Sequence, residues 1–246
     1  MSYEKFAYLY DDLMRDVPYE QWVKVIQQQV EKHGIEGKRL LDLACGTGEL
    51  SICLAKSGYE VTCVDLSDDM LSVAQAKAQE SGLQLSFFEQ NMAELELMTE
   101  FDIIGIFCDS LNYLQTETEI KNTFRHVYHH LEDKGLFIFD VHSVYKMQHL
   151  FINQTYAYNG DDISYIWQCF EGEYPLSVEH ELTFFVQDES GKYDRYDELH
   201  FQRTYPIEQY IEWLENSGFQ VNEILYDFKQ SFSNDDCERV LFITSK

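Results

Sequence analysis

Positive charge is scarce in this chain: 18 lysines and arginines stand against 44 aspartates and glutamates, a formal net charge of −26. Such a surface repels phosphate backbones and anionic lipid heads, so tight binding to nucleic acid or to a membrane surface is not expected. Apolar runs of membrane-spanning length are missing. The N-terminus, Met1-Ser2-Tyr3-Glu4-Lys5-Phe6, has neither the basic region nor the apolar run of a secretory signal. None of the six cysteines forms a Cys-x-x-Cys pair. Cys45, Cys53, Cys63 and Cys108 lie in apolar stretches and read as small buried hydrophobes, which with no signal peptide implies a reducing, cytoplasmic setting. Prolines number only three, and two of them, Pro18 and Pro206, sit where helices start. Internal repeats and low-complexity linkers are also absent.

What is present is enough apolar residue, 45% of 246, for one large α/β domain with a sizeable core. The organising stretch is Leu40-Leu41-Asp42-Leu43-Ala44-Cys45-Gly46-Thr47-Gly48. It starts as a buried strand, turns through Gly46 and Gly48, and enters a helical pattern at Leu50, Ile52 and Leu54. Strand, glycine turn and helix in that order bring bare backbone and a helix N-terminus beside a ligand. Asp42, two residues before the turn, would repel a pyrophosphate and welcome an ammonium or sulfonium. Val61–Val64 is a second strand ending at Asp65, about 20 residues after the turn, where a carboxylate can accept both hydroxyls of a ribose.

Further along, Leu85–Phe88 reads as a third strand ending near Asn91-Met92, and Phe101–Phe107 as a fourth that exits through Cys108-Asp109-Ser110-Leu111-Asn112-Tyr113. His126, His129 and His130 share a helix, but no third ligand accompanies them and no metal site is expected. Gly135–Asp140 is the fifth strand, leading to His142. From about Tyr156 to Tyr205 the pattern becomes an antiparallel meander, with strand-like segments at Ser164–Phe170, Leu182–Val186 and Glu198–Tyr205. A helix then restarts at Pro206, and Phe219–Leu225 and Val240–Thr244 close the sheet as an antiparallel pair joined by a short loop. Near the N-terminus Tyr3, Phe6, Ala7, Tyr10 and Leu13 fall at helical spacing, as a packing arm or as a flap over ligand.

On Asp42-x-Ala44-x-Gly46-x-Gly48, Asp65, Asn91-Met92 and Cys108–Tyr113 the chain resembles the class I S-adenosylmethionine-dependent methyltransferases over nearly its whole length. The resemblance implies a Rossmann-like, doubly wound, mostly parallel sheet of seven strands, with a small antiparallel β lid inserted after strand five. The implied division is a cofactor-binding core of 1–150 plus 206–246 and a substrate-binding lid of 151–205. It also implies that Asp42 and the Gly46–Gly48 backbone hold the methionine end of S-adenosylmethionine, that Asp65 takes the ribose, that Met70 and Met92 flank the adenine, and that Asn91 accepts from its amino group. Tyr10, Ala44, Leu66, Cys108 and Asp109 complete the implied cofactor set. Ala44 stands where the family has glycine, and alanine is small enough that no loss is expected.

Methyl transfer mainly needs the nucleophile oriented and water excluded. If the acceptor must lose a proton, His142, Asp109 and Tyr113 are the candidates near the ligand edge. Acidic and aromatic residues between 155 and 205 favour a neutral or cationic small-molecule acceptor. Two other readings are a non-catalytic S-adenosylmethionine-binding protein with a partner on the lid and a nicotinamide-dependent oxidoreductase. Asp42 and Ser51 argue against the latter.

Overall fold

The structure is a computed structural model that describes residues 10–11, 13–14, 17–188, 190–230 and 236–246. Tyr3, Phe6 and Ala7 of the expected aromatic arm lie outside the described residues. After helix α1 (Tyr19–His33), strands and helices alternate: β1 (Arg39–Leu43), α2 (Glu49–Lys56), β2 (Glu60–Asp65), α3 (Asp68–Glu80), β3 (Ser86–Glu89), β4 (Phe101–Ile106), α4 (Glu117–His130) and β5 (Leu131–His142). Four strands follow, β6 (Thr155–Asn159), β7 (Ile163–Glu171), β8 (Ser177–Gln187) and β9 (Tyr193–Arg203). The chain then closes with α5 (Ile207–Asn216), β10 (Gln220–Tyr226) and β11 (Arg239–Ser245).

The larger sheet has the order β10-β11-β5-β4-β1-β2-β3. Only β11 runs against its neighbours, β5 and β10. The apolar runs explain the interior strands. Leu40, Leu41 and Leu43 of β1 are fully buried because helices cover both faces, as parallel strands require. Alternation on β5 divides the core: Leu136 and Ile138 pack with Trp22 and Ile26 of α1. Phe137 and Phe139 pack with Phe124 of α4 and Tyr210 and Trp213 of α5. The ends of the helices are marked in the sequence. Thr116 and Glu119 form a capping box on α4, and Gly34 ends α1 in the left-handed conformation. No helix among the described residues is long and apolar enough to cross a membrane.

The inserted sheet is the antiparallel meander β6-β7-β8-β9. It differs from the sequence expectation by one strand: every residue of β6 is exposed, so it carries no burial alternation to read. Its inner face places Leu182 and Phe184 against Tyr10, Leu13 and Met70, which ties the sheet to the N-terminal arm and to α3. The β10–β11 pair is antiparallel as expected, but the connection runs through 227–238 rather than a short turn.

One buried carboxylate joins the parts. Asp140 on β5 is fully buried; its Oδ1 accepts from Trp22 Nε1 of α1 at 2.7 Å and from the Cys108 N–H at 2.9 Å. Oδ2 accepts from the Asp109 N–H at 2.9 Å and from Arg239 Nη1 at the start of β11. Cys108 and Asp109 both have φ of 54°, an uncommon conformation for residues with side chains, and the two N–H bonds hold it. Asp140→Asn exchanges an acceptor for a donor in a site full of donors. It should cost about 3–5 kcal/mol of stability, read as a lower urea midpoint with an unchanged slope.

Candidate active site

The β1–α2 turn and the ends of β2 and β4 enclose a cavity of about 460 Å³. Ala44, Gly46 and Gly48 adopt φ of 66°, 55° and 77°, so every second residue of the turn is left-handed. A Cβ on Gly48 would lie 2.9 Å from the Ala74 Cβ, so glycine lets α3 approach. Asp65 at the end of β2 steadies the turn: Oδ2 accepts from the Gly46 N–H at 2.7 Å and Oδ1 from the Ser67 N–H at 2.9 Å. Burial pushes its carboxyl up against those donors. A carboxylate offers about four acceptor positions, so after the Gly46, Ser67 and Leu66 N–H groups it keeps acceptor capacity for a ligand hydroxyl.

Asp42 is only 2% exposed, yet it lines the cavity. It accepts a short hydrogen bond from the Ser51 hydroxyl, which is why position 51 holds a serine. Burial, with Asp65 nearby, pushes its carboxyl up to about 7 despite that bond. No positive side chain pairs with it among the described residues. Asn91 lines the cavity with Met70, Met92 and Leu66. Its side-chain oxygen already accepts from the Ala93 N–H at 2.9 Å, so an adenine amino group would share that oxygen.

The structure separates the three expected proton acceptors. Tyr113 lines the cavity, but Asp109 and His142 do not. His142 is 4% exposed and turned into a polar seam under the inserted sheet, with Nε2 lying 3.1 Å from Asp109 Oδ2 and 3.2 Å from Gln202 Oε1. Burial holds it neutral against the pull of Asp109, and Nδ1 has no partner. Burial alone would raise the Asp109 carboxyl; the Arg239 guanidinium, with the hydrogen bond donated by neutral His142, outweighs it and holds the group well below the usual carboxylate range. Asp109 and His142 are both expected as bases, and Asp109 also as a cofactor contact; the structure places both side chains in the seam and not on the cavity wall. The strand end sends Tyr113 to the cavity through the 3-10 turn Ser110–Tyr113 while β9 covers His142. Gly48 is also absent from the lining; it shapes the turn from behind.

Gln202 is the centre of that seam. Trp167 Nε1 donates to His180 Nδ1 at 3.0 Å, which leaves the His180 proton on Nε2, 3.1 Å from Gln202 Oε1. Gln202 Nε2 in turn donates to Asp109 Oδ2 at 3.1 Å. Burial holds His180 down to about 4.

Several lining residues were not foreseen. Glu198 and His200 enter from β9, Tyr19 from the start of α1, and Thr47 from the turn itself. Thr47 donates to Asp11 at 2.6 Å, and Lys77 bridges Asp11 and Glu49 at 2.5 and 2.6 Å, pinning this part of the arm over the turn. The available signal was the alternation Glu198-x-His200-x-Gln202, polar side chains on the inner face of a lid strand. The helical histidines have other employment: His130 Nε2 accepts from the Leu97 N–H at 2.9 Å and Nδ1 meets the His126 carbonyl at 2.7 Å.

The methyltransferase-domain family profile matches residues 40–135, the segment that builds the turn and strands β1 to β4. Over full length the chain is 51% identical to a Geobacillus sp. (strain WCH70) protein named "Putative methyltransferase", covering 100% of both. It is 45% identical to "Putative methyltransferase YqeM" of Bacillus subtilis (strain 168), covering 100% of this chain and 98% of that one. A crystal structure of a S-adenosylmethionine-dependent methyltransferase from Clostridium acetobutylicum ATCC 824 superposes with a TM-score of 0.90 at 32% identity, covering 99% of this chain and 98% of that one. The chain belongs to the S-adenosylmethionine-dependent methyltransferases. Streptomyces venezuelae DesVI, at 19% identity and a TM-score of 0.77 over 97% of each chain, shares the fold.

The cofactor of this methyltransferase is S-adenosylmethionine, and the cavity fits it. Asp42 is consistent with it: a buried carboxylate with a hydroxyl donor and, among the described residues, no cation. A nicotinamide cofactor or a non-catalytic role is not favoured. One motif expectation changes. Size alone does not decide what position 44 tolerates, because φ of 66° makes it a matter of backbone conformation. Ala44→Gly should remove the left-handed penalty of about 1–2 kcal/mol, partly offset by the looser unfolded chain, for a net gain of about 1 kcal/mol. Differential scanning calorimetry should show a higher Tm; a lower one would mean that the Ala44 methyl contributes packing worth more than the strain.

Proposed function

We propose that the chain methylates a nitrogen, oxygen or carbon of a small molecule that is neutral or cationic. The supporting observation is the cavity wall: Asp42, Asp65, Glu49, Glu119 and Glu198 line it together with aromatic rings, and no lysine or arginine does among the described residues. A phosphorylated or carboxylated acceptor would meet no counter-charge there. Glu198 to Phe201 of β9 form the wall facing the glycine turn, which supports a division of labour in which the inserted sheet recognises the acceptor.

In this reading Asp65 accepts from the ribose hydroxyls. Asp42 and the Gly46 backbone receive the charged end of the methionine moiety, and Met70, Met92 and Leu66 flank the adenine beside Asn91. Bound S-adenosylmethionine supplies an activated methyl group on a sulfonium. The chain orients the nucleophile toward it, and the inserted sheet and Tyr10 exclude water.

Two measurements test this. Asp65→Ala should weaken S-adenosylhomocysteine binding by about 1.5–3 kcal/mol in calorimetry, the range for hydrogen bonds to a charged group; unchanged affinity would remove Asp65 from the ribose site. Methyl-labelled cofactor incubated with the protein and fractionated cell extract should label low-mass compounds that pass an anion exchanger unretained. Label confined to retained phosphorylated compounds, to RNA or to protein would refute the acceptor class.

A further inference from the structure

Tyr113 and His200 come to the cavity from two elements that meet at its wall. Tyr113 closes the 3-10 turn after β4, and His200 belongs to β9 of the inserted sheet. Both line the cavity. The Tyr113 hydroxyl lies 3.4 Å from His200 Nδ1, and the rings meet edge to face with centroids 6.0 Å apart. That contact is long for a hydrogen bond, as catalytic contacts often are before the ligand is in place. Asp109 and His142 are committed to the seam and Asp65 and Asp42 to the turn, which leaves Glu198 on the same strand as the rival base.

We propose that Tyr113 and His200 form a proton relay for the methyl acceptor, with the Tyr113 hydroxyl touching the nucleophile and His200 Nδ1 taking the proton. The inference rests on the small-molecule reading above and adds that the nucleophile X still carries a proton when it attacks. The X–CH3 bond forms as the S–CH3 bond breaks, and the electron pair of the broken bond stays on sulfur. The proton on X moves to Tyr113 Oη while the phenolic proton moves to His200 Nδ1. The pair ends as a neutral phenol and an imidazolium, and the imidazolium returns its proton to water when product leaves.

The electrostatics suit a relay better than a single base. A tyrosine hydroxyl is un-ionised at neutral pH, and crowding by the cavity lining, with Asp109 and Asp65 nearby, pushes this one further up although the side chain is 45% exposed, so a tyrosinate is not formed on its own. Burial pushes His200 down, which keeps its ring neutral and able to accept at neutral pH. Among the described residues the titratable groups around His200 include Tyr113, which it touches, His180 paired with it on β8, Asp109 beyond Gln202, and Glu198 on its own strand. Neutral His180 adds no positive charge there. The rate should therefore fall as pH drops through the His200 pKa, which lies below the ordinary 6.5.

The test has one arm that needs no acceptor. In the full chain with S-adenosylhomocysteine bound, nitrogen-15 histidine NMR, assigned with His200→Gln, should show a neutral His200 ring at pH 7. Its Nδ1 resonance should shift in Tyr113→Phe. An imidazolium at pH 7, or an Nδ1 resonance indifferent to Tyr113→Phe, overturns the relay. The second arm uses the low-mass extract fraction that the wild-type protein labels. Tyr113→Phe and His200→Gln should each lower kcat by about 10²-fold, the double variant no further, and His200→Gln should lose the acid limb of the pH profile. Additive losses, or an acid limb that survives His200→Gln and disappears in Glu198→Gln, overturn it in favour of Glu198. A wild-type protein that labels no low-mass compound refutes the acceptor class, and the NMR arm then decides the relay alone.

Discussion

The architecture of the site depends on one ion pair, Asp140 with Arg239. Its carboxylate takes four donors from three elements: the Trp22 indole of α1, two N–H groups at the exit of β4, and the Arg239 guanidinium of β11. A fully buried carboxylate is stable only when its acceptor positions are filled. The Arg239 guanidinium lies over the Trp22 ring at 5.0 Å and reaches on to Asp109 at 2.9 Å, so the charge is covered on several sides. Fixing both left-handed residues at the strand exit sets where the chain goes next, and so where Tyr113 meets the cavity. The antiparallel entry of β11 is what brings an arginine from the far end of the chain to this point.

The sheet and its glycine turn were legible because their signals are local. Leu40, Leu41 and Leu43 announce a strand covered on both faces, and the glycine turn is followed at a fixed interval by Asp65. Those features depend on spacing within a few tens of residues. The wall built by the inserted sheet depends on contacts far apart in sequence, which leave little local signal to read. His142 sits at a strand end, where a side chain is expected to face ligand; Gln202, 60 residues away, draws it into the seam instead. Asp140 looked like an ordinary strand terminus, because its partners lie at positions 22, 108, 109 and 239. His200 was hidden in a polar, alternating strand whose inner face is known only once the sheet is docked on Tyr10 and Met70.

Strain and function coincide along the cavity rim. Ala44, Cys108 and Asp109 are left-handed residues with side chains, and two of them line the site directly. Each turn is held by bonds to a distant strand: the Ala44 N–H to the Val64 carbonyl at 2.7 Å, and the Cys108 and Asp109 N–H groups to Asp140. The surrounding sheet thus over-determines conformations that an isolated peptide would avoid.

The carboxamide of Gln202 gives the junction between inserted sheet and core a direction. It receives from His180 and His142 and gives to Asp109, and a carboxamide cannot reverse those roles without turning its end over. The inserted sheet is therefore clasped through a dipole and neutral imidazoles at this point, buried away from mobile ions. Ionic strength, which screens exposed charges within about 10 Å at 0.1 M, has little purchase there. A chain with a net charge of −26 will feel salt over its exterior, while the fastening over its reaction chamber stays indifferent to it.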